Sequence, residues 1–159
     1  MISGERYLFR GKITYKTANP PNGNNERIGE WVIGGLSNVF NPDGVGIAVD
    51  PNTIKTEHFA YRFFRIDPDT IGQCTGLRDR HGILIFEGDI LSDGVYLYRI
   101  DYSETNTGLT AYCYGDSDNW RWSLYHLATG HNQKREIEII GNIHDRSISL
   151  RNGEHYGKY

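Results

Sequence analysis

Thr70-Ile71-Gly72-Gln73-Cys74-Thr75-Gly76-Leu77-Arg78-Asp79-Arg80-His81-Gly82 runs, after Ile83 and Leu84, into Ile85-Phe86-Glu87-Gly88-Asp89-Ile90-Leu91. Asp79 to Gly82 has the composition of a turn, because Asp hydrogen-bonds nearby backbone and Gly accepts positive φ. Ile83 to Phe86 then reads as a short apolar strand. Glu87-Gly88-Asp89 is a tight corner in which Gly88 supplies backbone freedom and Asp89 caps the turn. Asp89 to Leu91 begins the next strand. A functional reading competes with this one. Glu87 and Asp89 have the i, i+2 spacing that places two carboxylates on one strand face, where they could share a proton or hold a divalent ion. The turn reading is preferred, since a Gly between two carboxylates and two apolar strands is what a sharp corner requires.

Working towards the N-terminus, Glu57 to Ile66 alternates. Phe59, Tyr61 and Phe63 fall on one face, and His58, Ala60, Arg62 and Phe64 on the other. Asp67-Pro68-Asp69 ends that strand with a turn or helix start. Ser37 to Pro51 is loop-like, with a turn at Asn41-Pro42-Asp43-Gly44 and a short apolar strand from Val45 to Val49. Further back, strands are expected over Arg6 to Thr14 and Glu30 to Ile33, the second closed by Gly34-Gly35. The two form a hairpin around the turn cluster Asn19 to Asn25, which must be an exposed loop.

Towards the C-terminus a strand is expected over Val95 to Tyr102, with Tyr96, Tyr98, Ile100 and Tyr102 sharing a face opposite Arg99 and Asp101. Thr110 to Tyr114 and Trp120 to Leu124 form a hairpin around Gly115 to Asn119. Trp120, Trp122 and Leu124 lie at period two, which reads as an aromatic core face. Leu124 to Leu127 could instead begin a helical turn ended by Gly130. Glu136 to Ile139 alternates and loses phase at Ile140-Gly141, where a bulge would reset the inward face. About nine short strands and no long amphipathic helix make the chain mostly β, a β-rich α+β fold at most.

The chain has 159 residues, 17 Lys and Arg, and 20 Asp and Glu, giving a formal net charge of -3. This size buries enough surface to fold without a metal or disulfide. The charge balance argues against a protein held mainly by phosphate contacts. Cys74 and Cys113 have no metal-type spacing and read as two small buried or half-buried thiols. Met1 to Arg6 lacks the apolar region of a secretory signal, and no run is long enough to span a bilayer, so a soluble cytoplasmic protein is expected.

Neither a phosphate-cradling Gly-Lys loop, a dinucleotide glycine fingerprint nor a nucleophile elbow occurs. The six histidines form no zinc-binding pattern. No catalytic residues, metal ligands or cofactors are therefore assigned. Trp120, Arg121 and Tyr125 could stack on and neutralise an unpaired nucleic-acid strand. That is the alternative function.

The opening stretch, taken as an ordered set of motifs, resembles the signature of the YopX family of small phage and prophage proteins. Phe9-Arg10-Gly11-Lys12 with Gly29-Glu30-Trp31-Val32 looks like the family's opening, and Ile139-Ile140-Gly141-Asn142-Ile143-His144-Asp145 like its closing segment. Cys74 stands in place of the usual aromatic, His81 where Asn is common, and Leu91 for Val. The resemblance implies an N-terminal β-rich region over 1–72, a connecting segment over 73–82, an SH3-like small barrel over 83–150 and a polar tail over 151–159. It implies no established enzymatic activity. The expected function is a non-enzymatic module that self-associates as a homo-oligomer and binds a host or phage macromolecule, away from membranes. A metal-dependent hydrolase built on Glu87, Asp89 and a histidine is the least favoured reading. Gln73, Thr75, Asp79, Glu87, Asp89, Trp120 and Arg121 are the candidate binding residues.

Overall fold

A computed structural model describes residues 7–14, 28–37, 44–49, 62–105, 108–114, 121–129 and 136–145. The loop at 19–25, the strand positions before Arg62, the loop at 115–119, Trp120, Gly130 and the tail at 151–159 lie outside the described residues. The chain is mostly β and forms two compact units, Met1–Cys74 and Thr75–Tyr159.

In the first unit β1 (Phe9–Lys12), β2 (Trp31–Ser37), β3 (Gly46–Val49) and β4 (Arg62–Arg65) pair antiparallel in sequence order. An antiparallel bridge between Ile13 and Ile66 then brings the end of β4 back to the end of β1. Hydrogen bonds from the Thr14 amide to the Arg65 carbonyl (3.1 Å) and from the Asp67 amide to the Lys12 carbonyl (2.8 Å) flank that bridge. The sheet thus curls onto its own first strand, which covers an otherwise exposed edge. β5 (Gly72–Arg78) runs on across the unit boundary, and its first residues pair with β1 at Phe9–Gln73 and Arg10–Gly72. Ile47 and Ile66 are buried inside the curl, packed by Phe9, Val32, Val45, Phe64 and Ile71. Each such aliphatic burial contributes about 1.5–3 kcal/mol.

Gly34 and Gly35 were expected to end the second strand; instead β2 runs through both to Ser37. A Cβ on Gly34 would lie 2.2 Å from the Ala48 carbonyl oxygen. The glycine is there for close approach of backbone at the curl, not for termination. Asp67-Pro68-Asp69 behaves as expected. A 3-10 turn spans Pro68–Thr70, and the Asp67 side chain accepts a hydrogen bond from the Asp69 amide.

The second unit contains the rest of β5, then β6 (Leu84–Phe86), β7 (Asp89–Ser92), β8 (Leu97–Ser103), β9 (Gly108–Cys113), β10 (Arg121–Trp122), α1 (Leu124–Thr129) and β11 (Glu138–Asn142). β7 to β10 form an antiparallel meander, and β11 returns to pair with β7, giving the order β10-β9-β8-β7-β11. The expected bulge is present, as a register shift between Ile139 and Gly141. Ile85, Leu91, Tyr98, Ile100, Ala111, Leu124 and Ile137 make the core.

The aromatic core face expected around Trp120, Trp122 and Leu124 does not form at Trp122, which is 41% exposed. β10 is only two residues long, so the period-two pattern stops there. Leu124 is buried from the first turn of α1 instead. Tyr98 and Ile100 are buried as their alternation requires, whereas Tyr96 and Tyr102 at the two ends of that face are exposed. Cys74 is buried and Cys113 half-buried, and neither forms a disulfide. Among the described residues no helix is long and apolar enough to cross a membrane.

Candidate functional site

Of the three signature carboxylates among the candidate residues, Asp79 and Asp89 are buried and turned onto backbone, and Glu87 is half-buried. Asp79 follows β5. Its Oδ1 accepts hydrogen bonds from the His81 and Ile83 amides, each at 2.9 Å, and its Oδ2 accepts from the Ile139 amide at 3.3 Å. Its own amide donates to the Ile83 carbonyl, and Gly82, at φ +78°, closes the turn onto the Asp79 carbonyl. Burial alone would raise the Asp79 pKa. The amides of Ile83, Ile139 and His81, helped by the His81 charge, outweigh it and hold the carboxyl below the usual value. A carboxylate so held is a poor general acid or base near neutrality.

Asp89 opens β7 with no exposed surface. Its Oδ2 accepts from the Phe86 amide at 2.7 Å, and Asn142 Nδ2 approaches Oδ1 at 3.4 Å. Gly88 makes the corner at φ +81°; its amide donates to the Ile100 carbonyl and its carbonyl accepts from the Ile143 amide. Asn142 in turn accepts from the His144 amide through Oδ1, and its own amide donates to Asp145 Oδ2. The closing motif Gly141-Asn142-Ile143-His144-Asp145 therefore locks the Glu87-Gly88-Asp89 corner. Glu87, half-buried, lies with Gly88 between β6 and β7 rather than within a strand, and the positive φ of Gly88 breaks the regular alternation towards Asp89.

Thr75 also serves the frame. Its hydroxyl donates to the Ile85 carbonyl at 2.9 Å and accepts from the Leu77 amide at 3.0 Å. Gln73 is exposed on β5 opposite Phe9. Arg121 lies elsewhere, on β10, in a cross-strand row with Tyr112 of β9 and Arg99 of β8. The guanidinium carbons of Arg121 and Arg99 are 5.6 and 5.9 Å from the Tyr112 ring centre. Asp101 pairs with Arg99 at 2.7 Å, and Arg121 Nη1 donates to Thr105 Oγ1 at 2.6 Å, so part of this row's charge is compensated locally. Burial raises the pKa of nearby Tyr114, against the Arg99 charge and with that of Asp101.

The structure thus gathers Asp79 with β11 and Asp89 with Asn142; Arg121 lies on β10, at the opposite end of the strand order from β11, and Gln73 belongs to the other unit. Sequence reasoning missed Asn142, Arg99 and Tyr112 as members of these groups. Their neighbours are set by strand register, which no short-range spacing reveals. Among the described residues no three His, Cys, Asp or Glu side chains converge to hold a metal ion.

The profile of the family described as YopX protein matches residues 41–150, more than half of the chain. No curated protein matches it.

Proposed function

We propose that this chain, which belongs to the YopX family, is a phage- or prophage-encoded, non-enzymatic interaction module of the cytoplasm that self-associates and binds a host or phage macromolecule. One observation carries the reading. Asp79 and Asp89 of the signature accept hydrogen bonds from backbone amides and one side-chain amide, which supports a turn-specifying role for them. With those carboxylates committed to the frame, the proposed activity rests on surface contacts rather than on a reactive group, an argument by analogy with other small binding scaffolds.

Residues 83–150, within the Thr75–Tyr159 unit, are read as an SH3-like barrel. The support is a four-strand antiparallel meander, β7 to β10, to whose first strand a fifth, β11, returns, a connectivity that suits a small curled sheet. Self-association is supported by apolar side chains left outside: Ile140 at the bulge is 46% exposed and Ile143 just beyond it 47%. Sedimentation of the full chain over a range of concentrations tests the proposal. A mass above that of one chain is expected, and a strict monomer at every concentration overturns self-association.

A further inference from the structure

The Met1–Cys74 unit carries an outward sheet face with a chemistry of its own. Alternation along β1 sends Phe9 into the core and puts Gly11 against it, where a Cβ would meet Ile66 Cδ1 at 2.7 Å. Arg10 and Lys12 therefore lie on the opposite face. Register extends that face: Arg10 sits across from Ile33 and Lys12 from Trp31, Gly35 from Ala48 and Ala48 from Phe63, and Ser37 from Gly46 and Gly46 from Arg65. The middle is made of small residues, with Gly35 and Ala48 half-buried and Gly46 buried. Aromatic rings and cations stand on both sides of it, with Trp31, Arg10 and Lys12 on one side and Phe63 and Arg65 on the other.

The guanidinium carbon of Arg10 lies 4.6 Å from the Trp31 ring centre, and Lys12 Nζ 5.0 Å. Positive charge is thus held at an aromatic platform. The four strands, FRGK, WVIGGLS, GIAV and RFFR, contain no carboxylate, in a chain whose net charge is -3. Among the described residues, the acidic side chains next in sequence to these strands lie at strand ends. Glu30 precedes β2, and Asp67 follows β4 with its Oδ1 accepting from the Asp69 amide. The charge is polarised, so a negative total does not exclude a polyanion here.

From this geometry we propose that the outer face of β1–β4 binds single-stranded nucleic acid, with Trp31 as a base-stacking platform and Arg10 and Lys12 as phosphate contacts. Aromatic rings interleaved with cations around small residues suit unpaired bases, whose faces stack without regard to sequence. An acidic peptide would use the cations but gain little from the rings. This face is distinct from the Ile140–Ile143 surface, so neither proposal depends on the other.

The test is a fluorescence-anisotropy titration of the full chain against a labelled oligo-dT of about fifteen nucleotides, at several salt concentrations. Affinity is expected to fall as salt rises, and Arg10→Gln with Lys12→Gln to reduce the log–log salt slope by about 1.4. Trp31→Ala is expected to weaken binding about five- to hundredfold, and Trp31→Phe to retain most of it. Arg80→Gln, in the other unit, is expected to change nothing. Circular dichroism and thermal melting of each variant check folding; the two Gln variants and Trp31→Phe keep most of each side chain's bulk, so they carry the test if Trp31→Ala is unfolded. No binding at the lowest salt overturns the proposal, as does binding indifferent to Arg10 and Lys12. Equal competition by polyglutamate would show a simple polyanion surface and also overturn it.

Discussion

The Asp79 carboxylate accepts a hydrogen bond from the backbone amide of Ile139, 60 residues further along the chain. The Arg80 amide donates to the Ile137 carbonyl at 2.9 Å beside it. Together they occupy backbone groups of β11 that its pairing with β7 leaves over. An open strand edge invites pairing with other chains, and the turn after β5 blunts this one. Asp79, read from the sequence as a turn residue and a candidate binding residue, is thus a clamp between the start and the end of the second unit.

Asp79→Ala is expected to lower the unfolding free energy by about 2–3 kcal/mol, because three amides lose a charged acceptor. Asp79→Asn keeps one acceptor oxygen and should cost less. Urea denaturation of the full chain measures both.

The same carboxylate sets part of the acid limb of stability. Its pKa is lowered in the fold, so the folded state favours the ionised form. The resulting stabilisation is fully present above the unfolded aspartate pKa, about 3.9, and is lost as pH falls through the lower folded value. Unfolding free energy measured from pH 6 down to pH 2 should therefore fall less steeply below about pH 4 in Asp79→Asn than in the wild type. Identical slopes would show that Asp79 is not linked to folding.

Gly34→Ala and Gly35→Ala make a paired test of the curl in the first unit. The new methyl at position 34 would meet the Ala48 carbonyl oxygen at 2.2 Å, while nothing lies within 4 Å at position 35. The first change should destabilise by about 3 kcal/mol, through forced separation of β2 and β3. The second should leave thermal stability within about 1 kcal/mol of the wild type, or raise it slightly.

Ile140→Asp should lower the sedimentation mass of the full chain to that of a monomer without changing its circular dichroism. Ile140 is exposed at the bulge, so a charge there costs the fold little and would be buried only in an assembly. A variant that sediments like the wild type would remove β11 from the self-association surface.

Much of the candidate site is legible in the chain because its chemistry is local. Asp79 with Gly82, Glu87-Gly88-Asp89 and the lost phase at Ile140-Gly141 each act within a few residues, and the turns and bulge appear where those residues stand. Gly34-Gly35 misleads because the same glycine pair that ends a strand also permits close approach, and only the position of Ala48 distinguishes the two. Trp122 misleads for a related reason: period two measures burial only while the strand lasts, and β10 stops after two residues.

Glycines, aspartates and alternating aromatics thus determined by themselves a mostly β chain, its corners and its family. Tertiary structure alone decided that Asp79 holds β11, that Asn142 meets Asp89, and that Arg10 and Lys12 share Trp31. A turn is specified by the torsional preferences of adjacent residues. A cross-strand neighbour is specified by register, which long-range burial selects only once the whole sheet has closed.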